Sequence, residues 1–364
     1  MTTRESMVGK VNTVFGPVDA STLGIVLPHE HLFINCSNWL MESERPEVQA
    51  IRDAPVSLEN LHLVRRNPHS SLDNLLFDDL ALQTREAQRF ADAGGHTIVD
   101  VTLEGIARNP EGCAEIARST GLNVILGCGY YIQSAHPQEV KERSIDELAD
   151  LIVAELTEGI GDTGIRAGVI GEIGTFHPIH PDEEKSLRAA GRAQQRTGAP
   201  IWVHLDSFAQ WGHRVLDILI EEGVDPRRVA LNHLDFVPEW TDYHMALAER
   251  GAFIEYDTFG IDWTNDDRRA NERAVRFIAP APTDFQRIQA LKTMLDAGYV
   301  EQMLLSHDVS VKLHLTEFGG WGYAHLLENL VPLMLDVGIT QEQIDTMMQS
   351  NPQRLLAWTA PPAG

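Results

Sequence analysis

Apolar residues along this chain recur in short blocks separated by polar, periodic stretches. Eight blocks rich in β-branched residues, around positions 22–27, 96–101, 123–128, 167–170, 200–203, 228–231, 252–256 and 303–305, are near-continuous and do not alternate with polar residues. Unbroken runs of that length are the pattern of strands buried on both faces of a parallel sheet. Between them lie segments of helical period. Over 79–93, Leu80, Ala87, Phe90 and Ala91 share one face and Gly94-Gly95 supplies a stop. Similar stretches cover 145–157, 183–197, 211–222, 240–250 and 284–297. A last helix opens at Thr340 with a capping-box pattern closed by Gln343, and Asn351-Pro352 is expected to end it.

Strand and helix alternate without a composition break that marks a linker. The pattern predicts one α/β domain over residues 1–364, a (β/α)8 TIM barrel, in preference to a doubly wound open sheet. A short lead-in over 1–20 and a mobile tail over 359–364 complete the expected organisation. The connections 36–76 and 258–283 are too long to be plain turns and read as covers over a site.

Composition narrows the classes of partner. The formal net charge of −24 repels nucleic acid and anionic membrane surfaces, and hydrophobic content of 43% is ordinary for a packed protein. The start of the chain lacks the apolar core of a signal peptide, and no apolar stretch reaches the length that spans a bilayer. Cys36, Cys113 and Cys128 are scattered with no metal-type spacing and cannot all pair, which favours a reducing, cytoplasmic setting.

Candidate chemistry gathers where the predicted strands stop. The first ends in Pro28-His29-Glu30-His31, the fourth in Gly171-Glu172, the fifth in His204-Leu205-Asp206, the sixth in His233-Leu234-Asp235 and the eighth in His307-Asp308. Barrel enzymes build their sites at these carboxyl ends. His29 and His31 lie two apart on a strand, so both can face the barrel axis and chelate one ion. Such a dipeptide alone is a weak signal, but imidazoles and carboxylates at four further strand ends point together to metal. Six candidate ligands exceed the needs of one catalytic ion and imply two divalent ions per chain. His29, His31 and Asp308 would hold the buried ion, His204 and His233 the outer one, and Glu172 would bridge them. A hydroxide shared by two such ions is nucleophilic near neutral pH, and Asp308 is placed to accept its proton. Glu30 and Asp235 are expected to orient ligating imidazoles, the plainer alternative being ordinary solvated acids.

On the stretches LPHEHL (27–32), GGHTIVDVT (94–102), GVIGEIG (168–174), VHLD (203–206), LNHLD (231–235), LLSHD (304–308) and GGWGYAHLL (319–327), the chain resembles the phosphotriesterase family of the amidohydrolase superfamily, most closely its phosphotriesterase-related branch. The likeness runs from about Val11 to Trp358. It implies the barrel, two divalent ions, usually Zn2+ with Mn2+, Co2+ or Fe2+ as substitutes, hydrolysis of a small molecule by an activated water, and a homodimer. Many members bridge their ions with a carboxylated lysine, whereas this chain resembles the branch with a glutamate there, Glu172. At the positions of the His/Asp proton relay of true phosphotriesterases it has Phe236 and Thr258. That departure favours attack at a carboxyl carbon of an ester, lactone or amide over attack at phosphorus. Asp257 and Tyr131 stand where related lactonases and amidases place pocket residues, and amide hydrolysis of small N-acyl compounds occurs in the branch.

Tyr130, Tyr131, Trp263 and Trp321, on loops after the third, seventh and eighth strands, are the expected pocket walls, unless they only pack loops onto the rim. His136, His177 and His180 read as surface residues. Arg108, Arg268 and Arg269 are candidates to hold an anionic substrate group. Three other readings are a phosphotriesterase using the same ions, a mononuclear deaminase, which needs no bridging carboxylate, and a binding protein retaining structural metal.

Overall fold

The computed structural model describes residues 4–262 and 281–360. Among the described residues, twelve strands form two small antiparallel pairs and one eight-stranded parallel sheet. The first pair, β1 (Lys10–Thr13) and β2 (Gly16–Asp19), is a hairpin in the lead-in. The second, β4 (Ile34–Asn35) and β5 (Leu76–Phe77), pinches together the two ends of the first long connection. The large sheet runs β3 (Val26–Glu30), β6 (Thr97–Asp100), β7 (Asn123–Cys128), β8 (Val169–Gly174), β9 (Ile201–His204), β10 (Val229–Leu231), β11 (Phe253–Tyr256) and β12 (Met303–Leu305), each parallel to the next. Helices lie between successive strands, as in a (β/α)8 barrel. Where β12 meets β3 a side chain joins the edges: the Ser306 hydroxyl donates to the His29 carbonyl at 2.8 Å and accepts from the His29 N–H at 3.1 Å.

The inner core consists of Val99, Val101, Ile125, Val169, Trp202, Ala230 and Leu304, closed at the amino-terminal end by Val11, Leu355 and Leu356. Branched residues filling the inside make the barrel a solid core with room for a site only at its other end. Among the described residues no helix is long and apolar enough to cross a membrane. All three cysteines are buried and unpaired with one another.

Two boundaries differ from expectation. The first barrel strand begins at Val26 because Ala20–Thr22 forms a 3-10 turn capped by the Asp19 carboxylate. Helical structure passes through Asn351-Pro352: Gln341–Asp345, a π turn over Thr346–Ser350 and Asn351–Leu356 run on without a break. Proline stands in the first turn of the last segment, where its missing N–H costs little. The tail is anchored at its start, with Thr359 N–H donating to the Gly198 carbonyl at 3.1 Å; residues 361–364 lie outside the described residues.

Candidate metal centre

Two irregularities in the sheet aim the chemistry. Register shifts between Leu27 and Glu30 on β3 and between Ile170 and Ile173 on β8, so the strands bulge where His29 and Glu172 sit. Bulges of this kind re-aim a side chain at a barrel rim. Gly171 permits the second: its φ is +112°, and a Cβ there would stand 2.2 Å from the Trp202 carbonyl oxygen. His233 and Asp308 also lie in the left-handed region, at φ 62° and 50°. Non-glycine residues are held there only by surrounding structure, and such strain gathers at functional sites.

The six predicted ligands converge. His29, His31 and Asp308 form one group, and Glu172, His204 and His233 another, with donor atoms within 4.8 Å of one another in each. Asp308 Oδ1 is 3.2 Å from His31 Nε2 and 3.8 Å from His29 Nε2. Glu172 Oε1 lies 2.7 Å from His204 Nδ1, 2.8 Å from His233 Nε2 and 3.7 Å from His29 Nε2, so it touches both groups.

The imidazoles are oriented from behind. Asn232, with its amide oxygen toward the ring, accepts from His29 Nδ1 at 2.8 Å, and Asp257 Oδ2 is 3.1 Å from the same nitrogen. Thr102 Oγ1 lies 2.8 Å from His31 Nδ1, and Asp257 Oδ1 lies 3.1 Å from His233 Nδ1. Each ring thereby offers its other nitrogen to the centre, which is how ligating histidines are set by their outer partners. His29 Nε2 is buried with no hydrogen-bond partner, facing Glu172 and Asp308. An orphaned ring nitrogen among carboxylates suits a cation, and the N/O donor set suits a divalent metal.

Electrostatics agree. Burial disfavours charge on His29 and His233, yet Glu172 beside the first and Asp257 beside the second hold both imidazoles well above their ordinary pKa. Burial would raise Glu172, but His204 and His29 keep it well below the usual carboxylate range. Underneath, burial pushes Glu255 up to about 7, despite its contact with His29. This is a negative, water-poor pocket that calls for positive charge.

Over the centre opens a cavity with about 870 Å³ of empty space, its mouth included. Glu172, His204, His233, Asp308 and Tyr131 line its floor. Tyr131 Oη is 3.4 Å from His204 Nδ1. The long connection after β3 covers one side with Ile34, Cys36, Trp39, His69 and Leu75.

Other expected residues are placed differently. Asp257 has no exposed surface and does not line the cavity; it sits behind the candidate ligands, its Oδ1 accepting from His233 N–H at 2.9 Å and lying 3.1 Å from the His233 ring, its Oδ2 lying 3.1 Å from the His29 ring. Asp235 orients no imidazole. It accepts from Asp257 N–H, Thr258 N–H and the Thr258 hydroxyl, and pairs with Arg287 at 3.2 Å. Glu30 does not reach a candidate ligand either: it holds the His307 ring at 2.8 Å and accepts from His307 N–H and Val309 N–H, bracing the backbone that carries Asp308.

Trp321 stacks on His325 with ring centroids 4.5 Å apart and lies outside the cavity lining. The Tyr130 hydroxyl turns to Glu139. Arg108 is locked by Glu155 at 2.7 Å and by the Gly127 carbonyl, so it is not available to an anion. His180 caps the helix Pro181–Thr197, and His136 and His177 are half-buried. Trp263, Arg268 and Arg269 lie outside the described residues. Sequence reasoning missed Asn232, Glu255 and Arg287. A polar residue inside an apolar strand, as in Glu255 of FIEY, was the available signal for one of them.

The model of the phosphotriesterase family matches residues 9–356. The chain is 37% identical over 353 residues to a protein of Danio rerio named N-acetyltaurine hydrolase, covering 96% of this chain and 98% of that one. It is 36% identical over 353 residues to the phosphotriesterase-related protein of Nematostella vectensis, with 96% and 99% covered. Among solved structures, a resiniferatoxin-binding protein from Rhodobacter sphaeroides superimposes with a TM-score of 0.91 at 40% identity, covering 96% and 95%.

Proposed function

The chain belongs to the phosphotriesterase family and is a hydrolase; from that premise we propose that it cleaves a carboxyl derivative, an amide in the first place and an ester or lactone in the second, using two divalent ions held by His29, His31, Glu172, His204, His233 and Asp308. The observation that carries this reading is Glu172 Oε1, which reaches His204 and His233 on one side and His29 on the other. A carboxylate so placed suits the bridge between two ions. Zn2+ fits the imidazole-rich donor set best. Bound there, such ions supply a water nucleophilic near neutral pH and polarise the scissile carbonyl.

The chain's own residues handle the proton and the substrate. Asp308 lines the cavity, retains 16% side-chain exposure and is held against His31, so it can take a proton from the attacking water and deliver it to the leaving group. The Tyr131 hydroxyl, beside His204, is placed to donate to a carbonyl oxygen or leaving atom. Amide chemistry is favoured by the relatives named N-acetyltaurine hydrolase and by two residues of this chain. Phe236 lines the cavity and has no proton to move, and the Thr258 hydroxyl is buried in bonds to Asp235 and Arg287. No relay of the phosphotriesterase kind runs through those positions.

The test is a panel of N-acyl amines, lactones and aryl dialkyl phosphates assayed with metal-loaded protein. Measurable turnover of the amides, above that of the phosphotriesters, is expected. A preference for phosphotriesters by orders of magnitude in kcat/KM would overturn the reading.

A further inference from the structure

The walls of the cavity differ in chemistry from its floor. Trp39 and Phe176 pack with centroids 6.3 Å apart, and Trp39 leans on His204 at 6.2 Å. Phe208 and Phe236 pack at 6.1 Å, and Phe236 lies against His233 at 6.4 Å. An aromatic pair thus stands beside each imidazole of the outer group, and all four rings line the same cavity. Each ring is only half-buried, so apolar surface remains open to the cavity for a ligand to cover. The charged residues lining the cavity are the acids Glu172, Asp206 and Asp308; no lysine or arginine lines it among the described residues.

On the reading that the floor hydrolyses amides or esters, we propose that the group beside the scissile bond is uncharged and aromatic, lodged between the Trp39/Phe176 and Phe208/Phe236 pairs, and that a sulfonate or carboxylate there is disfavoured. Offset or edge-to-face contacts with a substrate ring match the tilted arrangement of these four. An anion at the walls would stand near Asp206, which holds no ion on this reading, and would lose its water with no lysine or arginine among the described lining residues to pair with. This chain would then differ in substrate from the relatives named N-acetyltaurine hydrolase.

The matched probes are N-benzylacetamide and N-acetyltaurine, which share the acetyl group and differ in what the amine carries. Metal-loaded protein is expected to favour the benzyl compound by about tenfold or more in kcat/KM, a range one pocket can supply. Trp39→Ala and Phe236→Ala should each lower that ratio about tenfold, through KM for the benzyl compound, and Trp39→Phe should restore most of it. Circular dichroism and metal content control for folding. Calorimetric binding of both probes to the slow variant Asp308→Asn gives a readout independent of turnover, with tighter binding of N-benzylacetamide expected. Equal or better binding and turnover of N-acetyltaurine would overturn the inference and leave the amidase reading intact. Turnover of phosphotriesters alone would remove the amidase reading, while the calorimetric preference would still decide this one.

Discussion

Arg287 offers the sharpest test of how the centre is supported. It stands in the first turn of the helix Asp284–Asp296 with no exposed surface. Its Nε donates to Thr258 Oγ1 at 2.9 Å and lies 3.2 Å from Asp235; its other nitrogens reach the Pro282 carbonyl at 2.6 Å, the Ile261 carbonyl at 3.1 Å and Asp284 at 3.1 Å. One guanidinium therefore ties both ends of the connection after β11 to the carboxylate beneath Asp257.

Arg287→Met keeps much of the stem and removes the charge. Breaking a buried pair from one side costs about 3–5 kcal/mol, because the remaining charge is stranded. Asp235 keeps three other donors, from Asp257 and Thr258, which places the expected loss near the lower end, about 3 kcal/mol. Urea unfolding of metal-loaded protein, followed by tryptophan fluorescence, reads this as a lower midpoint at unchanged slope. The double variant Arg287→Met/Asp235→Asn removes both charges and should recover about 1–2 kcal/mol of that loss. A single-variant loss below about 1 kcal/mol, or a double variant no better than the single, would refute the argument that the pair is a buried, mutually dependent brace.

Three further outcomes follow from the same geometry. Asp308→Asn should lower kcat by about a hundredfold or more, the usual share of a positioned proton acceptor, and unchanged turnover would remove Asp308 from that role. Asp257→Asn takes the negative charge from behind both His29 and His233, so metal affinity measured by chelator competition should weaken about 10- to 100-fold; undiminished affinity would contradict the orienting role. His244 is held down to about 3 by burial, against an ordinary 6.5. A depressed histidine contributes stability that is complete above pH 6.5 and is lost as pH falls below it, about 2 kcal/mol by pH 5. His244→Phe should therefore narrow the difference in unfolding free energy between pH 7.5 and pH 5 by about that amount, and an unaltered difference would show that another group governs it.

How much of this was legible in the sequence depends on what each residue's position encodes. The strands of the barrel could be read because doubly buried parallel strands carry unbroken apolar runs, and the metal candidates because each stands at the carboxyl end of such a run. His29, His31, Glu172, His204, His233 and Asp308 needed only that rule to be brought to one mouth. Side-chain direction beyond the strand end was not encoded so locally. Asp257 and Asp235 follow β11 and β10, yet one turns to the imidazoles and the other to Arg287 on the helix between β11 and β12. That choice is set by the left-handed turn at His233 and by Arg287, neither of which a pattern of apolar residues reveals. Arg287 itself reads as an ordinary helix residue until the fold places it against two carboxylates. The continuity of the last helix was hidden for a related reason: a π turn lets Pro352 begin a new segment where an α-helix would have stopped.

The claim on which the account rests is that two cations share Glu172. Anomalous diffraction at the metal edge, on crystals of protein loaded with Zn2+ and assayed for metal content, addresses it directly. Two peaks per chain are expected, one against His29, His31 and Asp308, the other against His204 and His233, with the Glu172 carboxylate between them. One peak only, or two that leave Glu172 uncoordinated, would contradict it.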